Sequence, residues 1–189
     1  DDDELKYVVT DGKDGKLPDF TSISYPNGLR TYMRSDWGKE ALALAFTAKG
    51  DGSHGHHDNL SLAMWAYGQF LLTDQSYGST LTGDIVNYMP MAKNHNLVTV
   101  NDGDNAVGKD GVEKEQEIDD LYNFTTYSTI YLDDAKLSQR SVMFLKNQKF
   151  WIVSDYLEPT DSTKVNTYKQ FWHMLPQAGM TLSDKNEFR

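Results

Sequence analysis

The 189-residue sequence contains no cysteine, which removes disulfides, thiolate zinc sites and cysteine nucleophiles from consideration. Any metal held here must be held by nitrogen and oxygen. Basic charge is scarce too: 18 Lys and Arg stand against 28 Asp and Glu, a net charge of −10. The basic residues are scattered singly, so neither nucleic acid nor an anionic membrane surface fits as a partner. No apolar run approaches the ~20 residues that span a bilayer. The opening residues are acidic, where a secretory signal would be basic and then apolar. The abrupt ends suggest part of a longer protein. What is present is core material: 39% hydrophobic and 12% aromatic residues, with 5 Pro and no low-complexity linker.

Residues 30–34, 41–46, 60–67, 69–74, 96–100, 122–132, 141–145, 150–156 and 168–175 are short, apolar or aromatic, and alternate with period two. That is the pattern of half-buried strands, roughly nine or ten of them. Tyr67-Gly68-Gln69 and Lys146-Asn147-Gln148-Lys149 read as hairpin turns, so neighbouring strands should be antiparallel. Segments 11–15 and 101–111 read as plain Asp/Gly turns; the second, counted from Asp102, lacks the sixth-position glycine of a calcium loop. The mixed charges of 109–120 read as a solvated loop or short helix. Trp65 and Trp151, in apolar strands, read as core. The expected architecture is all-β: one large antiparallel β-sandwich over residues 1–189 with little helix and a lead-in segment at 1–22.

Three of the five histidines fall within His54-Gly55-His56-His57-Asp58. A lone loop histidine would mean little, but this density points to metal or catalysis. On an extended backbone His54, His56 and Asp58 face one side and His57 the other. A zinc-like ion takes three or four ligands at ~2.0 to 2.2 Å, so a donor must come from elsewhere. Asp74 and His95, each at the apolar boundary of a strand, are the candidates. Straight strands would leave His56 roughly 15 Å beyond Asp74, so Gly52 and Gly55 must let the segment curl back. The His-x-His-x-Asp spacing occurs in metallo-β-lactamases, but Asn59 stands where their next His would be. A cupin would need Glu where Leu60, Ser61 and Leu62 stand. No nucleophile elbow or phosphate loop is present.

Taken in order, His54 to Ser61, Gly68, Leu72-Thr73-Asp74, Tyr77-Gly78, Tyr88 and His95-Asn96 resemble the heparinase II/III-like domain of polysaccharide lyases. Arg34-Ser35-Asp36-Trp37, the strand pair running from Arg140 to Asp155, and Trp172-His173 extend the resemblance over about residues 23–180. It implies a two-part enzyme, an N-terminal α/α toroid and a C-terminal β-sandwich, with an acidic polysaccharide held between them. This chain would be the sandwich, working in the periplasm or outside the cell, and the missing toroid would be its partner. The resemblance makes His56, Asp74 and His95 ligands of one divalent metal ion, usually zinc. It places His54 in the cleft, and Tyr88 near an aromatic preceding the His-Asn pair, both as catalytic candidates. His57 departs from the family pattern, and so does Gln75-Ser76 after Asp74.

β-Elimination from a 4-linked uronic acid needs its carboxylate neutralised, a base for the C5 proton and an acid for the leaving O4. In a chain of net charge −10, a metal with Arg30, Arg34 or Lys93 must draw in the anionic sugar. Trp37 and Trp172 could stack on sugar rings. Two other readings stand beside this one: a non-catalytic carbohydrate-binding sandwich whose histidines only staple a loop, and a small metallohydrolase.

Overall fold

A computed structural model describes residues 2–50, 55–74, 83 and 87–175. The lead-in segment opens with a short helix, α1 (Asp3–Val9), whose first turn is capped by the Asp2 carboxylate accepting from the Leu5 amide. Eleven strands follow among the described residues. The first five are β1 (Ile23–Tyr25), β2 (Arg30–Arg34), β3 (Ala43–Thr47), β4 (Leu62–Ala66) and β5 (Gln69–Leu72). Then come β6 (Val98–Val100), β7 (Val112–Ile118), β8 (Tyr122–Thr129), β9 (Ala135–Leu145), β10 (Phe150–Pro159) and β11 (Tyr168–Gln170). Among the described residues no helix is long and apolar enough to cross a membrane.

Every pairing is antiparallel: β1 to β5 form one sheet in chain order, β7 to β10 a second, and β6 pairs with β11. The two larger sheets stack face to face, because each strand turns alternate residues inward. Met33, Leu44, Phe46, Leu62 and Met64 from the first sheet meet Tyr127, Val142 and Phe144 from the second in one core cluster. The Phe46 and Tyr127 rings lie 4.8 Å apart, and the Tyr127 hydroxyl reaches Thr31 Oγ1 across the sandwich at 2.8 Å. The fold is the expected antiparallel β-sandwich.

Both expected hairpins are present. Tyr67 (φ 54°) and Gly68 (φ 78°) form a left-handed pair between β4 and β5, and Lys149 (φ 56°) closes the turn between β9 and β10. Two expectations need correction. Residues 112–118 of the charged run form edge strand β7, paired with β8. An edge strand exposed along most of its length needs no apolar stripe, and its glutamates deter pairing with other chains. Trp65 is not in the core: its neighbours Met64 and Ala66 point inward, so it lies on the outer face of the first sheet, half-buried, with Phe70 edge-on at 4.9 Å. Trp151 does pack against the core, stacked on Phe144 at 5.2 Å.

Candidate functional site

Two loops carry the histidines, and the sandwich fixes both. The segment before β4 reverses at Leu60, whose φ of 68° is left-handed, and Gly55 upstream has φ 69°. This is the curl that lets residues 56–58 fold back over the end of the sheet. Gly52 and His54 lie outside the described residues. The His57 amide donates to the Pro90 carbonyl at 2.9 Å, tying this loop to the one that leads into β6.

Asn96 pins the second loop. Fully buried, it donates through Nδ2 to the carbonyls of Leu62 and Thr73 at 2.8 Å each, and its Oδ1 accepts from the His173 amide at 2.6 Å. Arg140 of β9 completes the frame. Its guanidinium, fully buried, makes a fork to Asp155 at 2.7 and 2.9 Å and donates to the carbonyls of Leu60 and Asn96. One cation on the second sheet therefore holds the backbone of both histidine loops. In the sequence the Arg140–Asp155 pair figures only in the family resemblance; the signal for its role is an arginine inside an apolar strand, facing an aspartate across a hairpin.

On this frame His95 is fully buried, with Nδ1 2.5 Å from Asp74 Oδ1 and Nε2 3.3 Å from the Pro90 carbonyl. The His56 ring centre is 5.2 Å from that of His95. Burial alone would push His95 toward neutrality, but the hydrogen bond and charge of Asp74, with Asp58 nearby, outweigh it and raise its pKa. Burial also lifts the carboxyl of Asp58; the charge of His95 opposes that rise and the charge of Asp74 adds to it. His57 faces elsewhere: its Nδ1 lies 2.7 Å from Asp104, which also accepts from the Ala92 and Asn105 amides.

Asp58 and Asp74 line one end of a cleft of about 210 Å³, with Arg30 and Tyr32 beside them. Tyr88 and Lys93 occupy the turn before His95, both exposed, with the Lys93 ammonium 4.6 Å from the centre of the Tyr88 ring. Arg34 is not part of the cluster. It sits at the opposite end of β2, 4.4 Å over the Trp37 ring.

His56, Asp74 and His95 supply two imidazoles and a carboxylate, donor types that suit zinc better than calcium. The buried Asp58 Oδ1 lacks a hydrogen-bond partner, a demand that a nearby cation would answer. As placed, His95 and Asp74 meet each other directly. Among the described residues no three such side chains are set around a common centre.

The family model for the heparinase II/III-like C-terminal domain matches residues 30–188. A heparin-sulfate lyase of Pedobacter heparinus is 28% identical over 158 residues, covering 80% of this chain and 23% of that protein. One from Bacteroides stercoris is 23% identical over 171 residues, covering 88% and 25%. The chain thus spans about a quarter of the length of these relatives. Among solved structures, a heparinase III superimposes with a TM-score of 0.83 at 23% identity, over 97% of this chain and 28% of that one. A mutant of the heparan sulfate lyase HepC from Pedobacter heparinus gives 0.85 at 22% identity, over 97% and 29%. At these identities the superpositions show a shared fold.

Proposed function

Because the chain belongs to the family of heparinase II/III-like C-terminal domains, matched over residues 30–188, we propose that it is the β-sandwich part of a lyase that cleaves a uronic-acid polysaccharide by β-elimination. The observation that carries this reading is the His56, Asp58, Asp74 and His95 cluster, built on a rigid frame and open to a cleft. The substrate class follows from the relatives, which are heparin-sulfate lyases, and the place of action is the periplasm or the exterior.

His56, Asp74 and His95 would hold a divalent ion, which supplies positive charge and Lewis acidity at the cleft. The chain's own groups then divide the work. His54 and the Lys93 ammonium offset the uronate carboxylate, which makes the C5 proton easier to remove. Tyr88, beside Lys93, donates a hydrogen bond toward the sugar. The tyrosine acid/base that moves protons at C5 and O4 belongs to the preceding helical domain.

Absorbance of the unsaturated product tests the reading. The 189-residue chain is expected to show negligible turnover of heparan sulfate, and the longer protein with its helical domain to turn it over. Robust turnover by the chain alone would overturn the two-part reading. Inactivity of the longer protein on a panel of uronate polysaccharides would favour the second reading, a stapled carbohydrate-binding sandwich, which the closed His95–Asp74 contact supports.

For the metal, about one equivalent of zinc per chain is expected by elemental analysis. Asp74→Asn should lower that content and the melting temperature together, since affinity confined to the folded state adds to folding free energy. Less than about a tenth of an equivalent in undepleted protein would reject the site.

A further inference from the structure

The outer face of the first sheet is unlike an ordinary solvent face. Strand alternation there should show polar residues; instead the outward positions hold alanines and aromatic rings. The register lines them up in two rows, Ile23–Tyr32–Ala45–Ala63 and Arg34–Ala43–Trp65–Phe70. Ala43, Ala45 and Ala63 form a floor. Tyr32, with Tyr25 edge-on at 6.2 Å, makes one wall, and Trp65 with Phe70 makes the other. The trough encloses about 370 Å³.

Its charge is equally selective. Although the chain carries −10 overall, the residues lining this trough include no carboxylate, and Arg34 is their single charged group. Neither Arg34 nor Arg30 forms an ion pair with a carboxylate among the described residues. Arg30 lies one further row along the strands, in the cleft that holds Asp58 and Asp74. That cleft and the trough share Tyr32, Ala45 and Ala63 in their linings, so they adjoin along the sheet face. With ~3.3 Å per residue, the row of Arg30 and the row of Arg34 are ~13 Å apart, longer than a single sugar ring.

We propose that this alanine-floored aromatic trough is a binding track for the pyranose rings of an acidic glycan, running from the His–Asp cluster to Trp65 and Phe70. This rests on the lyase reading above and extends it to residues outside the cluster. The fit is chemical. Sugar rings present C–H faces that pack on aromatic planes, and their acidic substituents lie in the plane of the ring, within reach of Arg30 at one end and Arg34 at the other. A concave, mostly apolar surface with few polar anchors is the usual form of a ligand site. The Trp65–Phe70 pair is also set by the hairpin at Gly68, so its geometry exists before any ligand arrives.

Calorimetric titration of the 189-residue chain with a heparan sulfate hexasaccharide, beside a neutral cellohexaose control, is the test. Trp65→Ala with Phe70→Ala should weaken binding of the acidic hexasaccharide about tenfold or more. Arg34→Gln should weaken it less and flatten its salt dependence. Phe70→Ala alone, at a site 48% exposed, guards against misfolding of the double variant, and melting temperatures report on all three. Unaltered affinity in folded variants, no binding by the parent chain, or a concentration-dependent dimer that buries Trp65 would each overturn the track. Loss of lyase activity in the longer protein with hexasaccharide binding intact would reject the catalytic reading and leave the track standing.

Discussion

Arg140→Met is expected to lower the unfolding free energy by about 3–5 kcal/mol, the range for removing one partner of a buried ion pair. The side chain is fully buried, and methionine fills similar space, so packing loss is not the cause. The cost comes from what stays behind. Asp155, 13% exposed, keeps a charge whose two guanidinium hydrogen bonds are gone, with Gln170 Nε2 at 2.9 Å the one remaining donor among the described residues. The carbonyls of Leu60 and Asn96 lose a charged donor as well. Urea denaturation of parent and variant would measure the difference. Adding Asp155→Leu should recover part of the loss, because the pair costs less to remove whole than to halve. A loss below about 1 kcal/mol for Arg140→Met would mean that the fork is no more than an exposed ion pair.

In the longer protein, His54→Ala is expected to cut turnover about a hundredfold or more while leaving metal content unchanged. If His56, Asp74 and His95 hold the proposed ion, one water or substrate atom would complete its tetrahedron. That would leave His54 for the uronate carboxylate, where negative charge develops. Parallel elemental analysis separates the outcomes. Near-normal turnover would make His54 a loop residue without a role, and loss of the metal would make it a ligand.

Strand alternation makes most of the sandwich legible: it predicts β2 with its observed bounds and places both hairpin turns. It fails where alternation and burial part company. In β7, exposed on most of its length, no apolar stripe was required. In β4, Trp65 follows the same rule as Met64 but faces the opposite side, and sequence alone does not say that both faces of one strand are apolar. Ligand number and strand-boundary position single out Asp74 and His95 as candidate donors, and the resemblance selects the set with His56. The reversal that brings the histidine loop back falls partly on Leu60, a residue that carries no signal for a left-handed backbone. Basic charge alone marks Arg34 as a group to draw in the anionic sugar; only the strand register shows that it stands on the far row from Arg30.

The arginine frame also sets an order of events. Leu60 waits for a hydrogen bond from a residue 80 positions later, and Asn96 accepts a donor from His173, 77 positions on. Contacts of such long range are slow to close and cannot form before Arg140 and His173 have left the ribosome. The histidine loops are therefore among the last parts to settle, after the β9–β10 hairpin has docked. Pulse-labelled hydrogen exchange should find the His57 and Asn96 amides protected later than those of β8 and β9. A metal ion would load onto a finished sandwich instead of nucleating it.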